Sequence, residues 1–92
     1  MKKYVTKAVR EKLEIHSLIE IWNMIEEGLE GTPLDYLLVF EAYQHPSGTM
    51  MIKMAQEDPP ATKIQKSISP FPFKVWVMLD GDILTIMFPE DY

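Results

Sequence analysis

Two histidines and no cysteine narrow the chemistry open to this chain. A nucleophilic triad needs a nucleophile, a base and an acid that orients the base, and a thiolate nucleophile is ruled out from the start. His45 lies in "HPSG", which has the composition of a turn, and His16 lies at the start of a helical stretch. Both positions suit a surface or capping residue better than a base. Neither histidine has a second histidine or a cysteine three or four residues away, the spacing that would begin a zinc site. Glu20 does lie four residues after His16, but "SLIE" from Ser17 to Glu20 already explains it as a capping box, with Ser17 capping the first turn and Glu20 reaching back.

Carboxylates are the other source of chemistry. Asp80 and Asp82 bracket Gly81, and Glu90 and Asp91 stand near the C-terminus, so the sequence predicts an acidic cluster at one end of a sheet. Acid–base catalysis would need one of these groups in a dry setting, whereas turn and terminal positions are wet. The spacing matches no calcium loop, and four glycines form no phosphate loop. The expectation is a protein with no catalytic residues, no metal site and no cofactor.

Composition narrows the class further. Ninety-two residues, 47% hydrophobic and 25% charged, predict one globular domain spanning 1–92. The absence of cysteine suits a cytosolic protein, no stretch reads as a signal peptide, and no apolar run is long enough to span a membrane. A cytoplasmic location is therefore expected. The net charge of −5 weighs against nucleic acid, whose binding depends on concentrated Lys and Arg. Lys2, Lys3, Lys7, Arg10 and Lys12 crowd the first twelve residues, and they read as a solvated first strand and its exit.

The elements follow from periodicity. "KKYVTKAV" reads as a strand. After it, Ile15, Leu18, Ile19, Trp22, Ile25 and Leu29 recur at spacings of three and four, one face of an α-helix. Gly28 or Gly31 ends that helix, and Pro33 prevents its continuation. "DYLLVFEAYQ" and "TMMIKMAQ" then form a hairpin around "HPSG", with Pro46 at the first corner and Gly48 left-handed. "EDPP" interrupts the pattern. "ATKIQKSI" resumes it as an edge strand guarded by charge. "SPFPF" is a rigid connector in which the bond before Pro70 or Pro72 can be cis. The predicted fold is α+β, a mostly antiparallel and strongly curved sheet of five to six strands on one main helix, in the order β-α-β-β-β-β-β.

The last pair, "KVWVMLDGDILTIM", raises the functional question. With Asp80-Gly81 as a two-residue turn, Val77 faces Leu84 and Val75 faces Ile86. One face then holds Phe73, Val75, Val77, Leu84, Ile86 and Phe88, all apolar. The opposite face holds Lys74, Trp76, Met78, Ile83, Thr85 and Met87. A half-solvated sheet alternates apolar with polar, and here Trp76, Met78, Ile83 and Met87 break the alternation, as do Leu37, Val39 and Tyr43 on the first hairpin. Three explanations stay open. The sheet curls over its own second face, the face pairs with a copy of itself, or it receives another partner or a small apolar ligand. Five strand methionines (Met50, Met51, Met54, Met78 and Met87) serve either as core gap-fillers or as an adaptable contact surface.

The stretches "KKYVTKAV", "IWNMIEE", "DYLLVFE", "QEDPP" and the closing "FPEDY" together resemble DUF960, a small Gram-positive bacterial family of unknown function. That resemblance implies a short, single-domain, intracellular bacterial protein and supplies no reaction, ligand or site residue. The functional expectation comes from the residues: a non-enzymatic protein-interaction or regulatory module that contacts itself, as a homodimer, or another protein through Trp76, Met78, Ile83 and Met87. The alternative is a small-molecule-binding domain with a pocket between curled sheet and helix.

Overall fold

The computed structural model describes residues 2–29 and 31–92. Six strands form one mixed sheet in the order β1-β6-β5-β2-β3-β4, with β1 at Lys2–Val5, β2 at Leu37–Gln44, β3 at Met50–Glu57, β4 at Pro60–Lys66, β5 at Phe73–Asp80 and β6 at Ile83–Met87. Every neighbouring pair is antiparallel except β1 with β6, which run parallel, Lys3 opposite Leu84 and Val5 opposite Ile86. A main helix, α2 (Ile15–Glu27), packs on one face of the sheet beside a short helix, α1 (Lys7–Lys12). A single 3-10 turn, Pro89–Asp91, ends the chain's regular structure.

The α+β class, the single main helix and the mostly antiparallel sheet are as the sequence predicts. The sheet is open, with β1 and β4 as its edges. One feature differs. The element order gains α1, because Thr6 leaves the first strand and caps a helix: its Oγ1 accepts the Val9 N–H at 3.4 Å and donates to Asp91 Oδ2 at 2.9 Å. Six residues carry too little periodicity to announce a helix on their own.

The core lies between α2 and the sheet. Ile21, Met24, Leu38, Phe40, Met54 and Val77 are all fully buried there. Helix α2 presents Leu18, Ile21, Met24 and Ile25 to the sheet, so its buried stripe is rotated from the predicted one. Leu18, Ile25 and Leu29 are buried as expected, Trp22 packs at the margin, and Ile15 and Ile19 face outward, 57% and 42% exposed. The centre of this layer is filled by side chains, and at its margin a hollow of about 310 Å³ opens between α2 and the sheet, lined by Trp22, Ile25, Lys3 and Leu84.

The capping box is also corrected. The helix is capped at Glu14 without a side-chain hydrogen bond, which places Ser17 inside the helix and puts His16 in its first turn, exposed. Glu20 is buried and reaches across to the connector after β4. It accepts from Ser67 Oγ at 2.7 Å and from the Ile68 N–H at 3.1 Å. Gly28 terminates the helix with φ +68°, a conformation that glycine adopts without steric cost.

The turns set the registers. Gly48, at φ +93°, closes the β2–β3 loop as its sequence predicts, with its N–H bonded to the His45 carbonyl at 2.8 Å. The β3–β4 hairpin turns on Asp58-Pro59, whose peptide bond is cis, a type VI arrangement; the bonds before Pro70 and Pro72 are trans. The β5–β6 loop is Gly81-Asp82, with Asp80 paired to Ile83, Leu79 to Leu84 and Val77 to Ile86. This register is offset by two residues from the predicted one, because Gly81 takes the first loop position at φ +62°, where glycine suits a type II′ turn. An even offset preserves the faces, so the predicted division of side chains holds.

Candidate interaction surface

The face opposite α2 is built from alternate residues of the strands. Its central row crosses the sheet as Met87, Trp76, Val39 and Ala55. The row on one side holds Tyr4, Thr85, Met78 and Leu37. On the other side lies an ionic row, in which Glu41 stands between Lys74 of β5 and Lys53 of β3. Lys53 pairs with Glu41 at 3.8 Å. Lys74 is exposed and has no carboxylate within 4.0 Å among the described residues.

All four residues singled out by the sequence, Trp76, Met78, Ile83 and Met87, project from this face. Trp76 and Met87 are register partners, Met78 lies beside Thr85, and Ile83 sits at the end of the sheet beside the hairpin loop. The first three are half-buried among their neighbours, and Ile83 is 37% exposed. The Tyr92 ring meets Trp76 edge-on with centroids 5.9 Å apart. The sheet is open at β1 and β4 and does not close around this face. The methionines divide between the two roles: Met24 and Met54 are core, whereas Met51, Met78 and Met87 lie half-exposed on the open face.

The residues that sequence reasoning missed are Tyr4, Ala55 and the ionic row. Tyr4 joins the face only because β1 pairs with β6 across nearly the whole chain, and nothing local signals that pairing. The Lys74–Glu41–Lys53 row arises from three separate strands and is visible only once their registers are known. A hollow of about 260 Å³ opens on the β2–β3 half of the face, lined by Leu37, Val39, Ala55, Glu41, Lys53 and Lys74 among others.

The groups with chemical potential do not converge. Asp80 and Asp82 lie at the hairpin end of β6, while Glu90 and Asp91 follow its opposite end, so the predicted acidic cluster does not assemble. Asp91 is occupied structurally, accepting from Thr6 Oγ1 and from the Phe88 N–H at 3.0 Å. His45 Nδ1 accepts the Ser47 N–H at 3.1 Å within its own turn. Among the described residues, no three His, Cys, Asp or Glu side chains are grouped so as to hold a metal ion, and no helix is long and apolar enough to cross a membrane. Several of the N-terminal cations are engaged within the chain. Lys3 pairs with Glu26 at 3.6 Å and lies over the Trp22 ring, Lys7 pairs with Glu11, and Lys12 lies over Phe88.

An α+β domain with a helix layer on one side and an open, partly apolar sheet face on the other is the class that fold and surface define. The chain belongs to DUF960, a staphylococcal protein family of unknown function, whose pattern it matches over residues 2–91. It is also similar in fold to a crystal structure of a protein of unknown function from Enterococcus faecalis. That likeness has a TM-score of 0.82 at 23% identity and covers 99% of this chain and 90% of the other. Comparison with curated proteins finds no match.

Proposed function

We propose that this protein is a small non-enzymatic contact module that pairs the open face of its sheet with a protein surface. One observation carries the reading: Trp76, Met78, Met87, Val39 and Leu37 are contiguous across three strands and sit only half-covered on the side away from the helix layer. An indole buries about 150–250 Å² when covered, worth several kcal/mol at about 25 cal/mol per Å². Covering Trp76 and its neighbours therefore supplies a driving force, and the charged row beside them supplies register. The lack of cysteine fits a reducing compartment, and we place the protein in the cytoplasm. Nucleic acid has no part in this reading, since Lys3, Lys7 and Lys12 already have partners within the chain.

If the open face serves contact rather than folding, a charge placed on it is tolerated by the isolated domain. Met78→Glu is expected to keep a native far-UV circular dichroism spectrum and to cost no more than about 1 kcal/mol in urea unfolding, the usual range for a partly exposed site. A loss of several kcal/mol, or an unfolded spectrum, would show that the face is core and would end this reading.

A further inference from the structure

Resting on that reading, we propose that the surface received by the open face is a second copy of this chain, seated face to face about a two-fold axis that runs along the strands between β5 and β2. A closed homodimer needs a self-complementary patch, in which residue i meets residue j and j meets i. The open face divides into two halves with that property. The β5–β6 half carries the bulky side chains Trp76, Met78 and Met87 together with Lys74, which has no carboxylate within 4.0 Å among the described residues. The β2–β3 half carries Val39, Leu37 and Ala55 together with Glu41, which Lys53 of the same half pairs on one side at 3.8 Å and which Lys74 of the second copy would meet from above.

Rotation about the proposed axis lays β5 of one copy over β2 of the other, and β6 over β3. Because the registers place Lys74 beside Glu41, Trp76 beside Val39 and Met78 beside Leu37, the rotation sets each of these opposite its row-mate in the second copy. Lys74 meets Glu41, Trp76 meets Val39, and Met87 meets Ala55. Large faces small, and cation faces anion, twice per dimer. The hollow of about 260 Å³ over Val39 and Ala55 lies where the indole of the second copy arrives, and it has room for a large side chain in place of several waters. Two twisted sheets that stack this way cross at about −30°, which leaves the central rows in contact.

The footprint is that of a weak, reversible interface. Six strands about 4.8 Å apart, each contributing four to eight residues at about 3.3 Å, give a face of roughly 24 by 22 Å. That area lies just below the limit of about 600 Å² per partner for a stable interface. A dissociation constant of about 1–100 μM is therefore expected, and the charge pairs contribute mainly to choosing the register.

Charge exchange tests both the partner and the axis. In Glu41→Lys, each Lys74 would face a lysine; in Lys74→Glu, each Glu41 would face a glutamate. Sedimentation equilibrium is expected to show each variant associating about 100-fold more weakly than the parent, about tenfold for each of the two contacts. An equimolar mixture of the two variants restores every opposite-charge contact and is expected to dimerise within about threefold of the parent affinity. A parent that dimerises while the mixture stays monomeric overturns the axis. A parent that is monomeric up to about 1 mM overturns the second copy as partner, and a natively folded Met78→Glu would then leave the contact reading standing. Should either charge variant fail to fold, Val39→Trp fills the hollow from within its own chain and is expected to abolish dimerisation. Parent-like association of Val39→Trp would contradict the proposal.

Discussion

Replacing Phe40 with alanine is expected to lower the unfolding free energy by about 3–5 kcal/mol, while replacing Val39, one residue earlier, costs no more than about 1.5 kcal/mol. The difference follows from the two faces of β2. Phe40 is completely buried at the centre of the sheet, with Met54 of β3 on one side and Val75 of β5 on the other. Truncating it removes an aromatic ring and leaves a cavity that the flanking strands can only partly close. Val39 points to the open face and is only half-covered. A domain of this size is stable by about 5–14 kcal/mol, so Phe40→Ala would leave a marginal protein. Urea unfolding followed by circular dichroism, at a protein concentration low enough to keep the chain monomeric, measures both values. Equal costs at the two positions would mean that the assignment of faces is wrong.

Glu20→Ala is expected to cost about 2–3 kcal/mol, a large effect for a single carboxylate on a helix. The group joins α2 to the connector between β4 and β5 by accepting from Ser67 Oγ and from the Ile68 N–H. Hydrogen bonds to a charged acceptor contribute about 1.5–3 kcal/mol each. Relief of the carboxylate's own burial offsets part of the loss, which gives the intermediate figure. Glu20→Gln keeps an acceptor oxygen and is expected to lose roughly half as much. Hydrogen exchange at the Ile68 amide gives an independent reading, since its protection should fall in Glu20→Ala. An alanine variant as stable as the parent, with Ile68 still protected, would exclude this tie.

Much of the fold was legible because it depends on local alternation. The period of two in "LLVFEAYQ" and "KVWVML" assigned the sheet faces correctly, and Gly48 marked its turn. The candidate surface was legible for the same reason: Trp76, Met78, Ile83 and Met87 fall on the apolar-spoiled side of one hairpin. What sequence could not supply was long-range geometry. The parallel pairing of β1 with β6 brings Tyr4 onto the face, and no nearby residue encodes it. Helix α2 carries apolar residues around much of its circumference, so Ile15 and Ile19 extended the predicted stripe past the side that the sheet covers. "SLIE" has the composition of a capping box, yet Glu20 finds its partners 47 and 48 residues away. The ionic row needs three strand registers at once, and the β5–β6 register itself differed by two residues, because either Asp80-Gly81 or Gly81-Asp82 satisfies the chemistry of a short turn.

The open face as a contact surface for a second copy is tested most directly by the absolute mass of the unmodified chain in solution. Light scattering is measured from about 1 μM to about 1 mM beside Met78→Glu at the same concentrations. The expected result is a parent mass that rises from 10.7 kDa toward twice that value over this range, while a natively folded Met78→Glu stays at the monomer mass. A parent that remains at 10.7 kDa throughout, or a variant that dimerises as well as the parent, would contradict the pairing of the two faces.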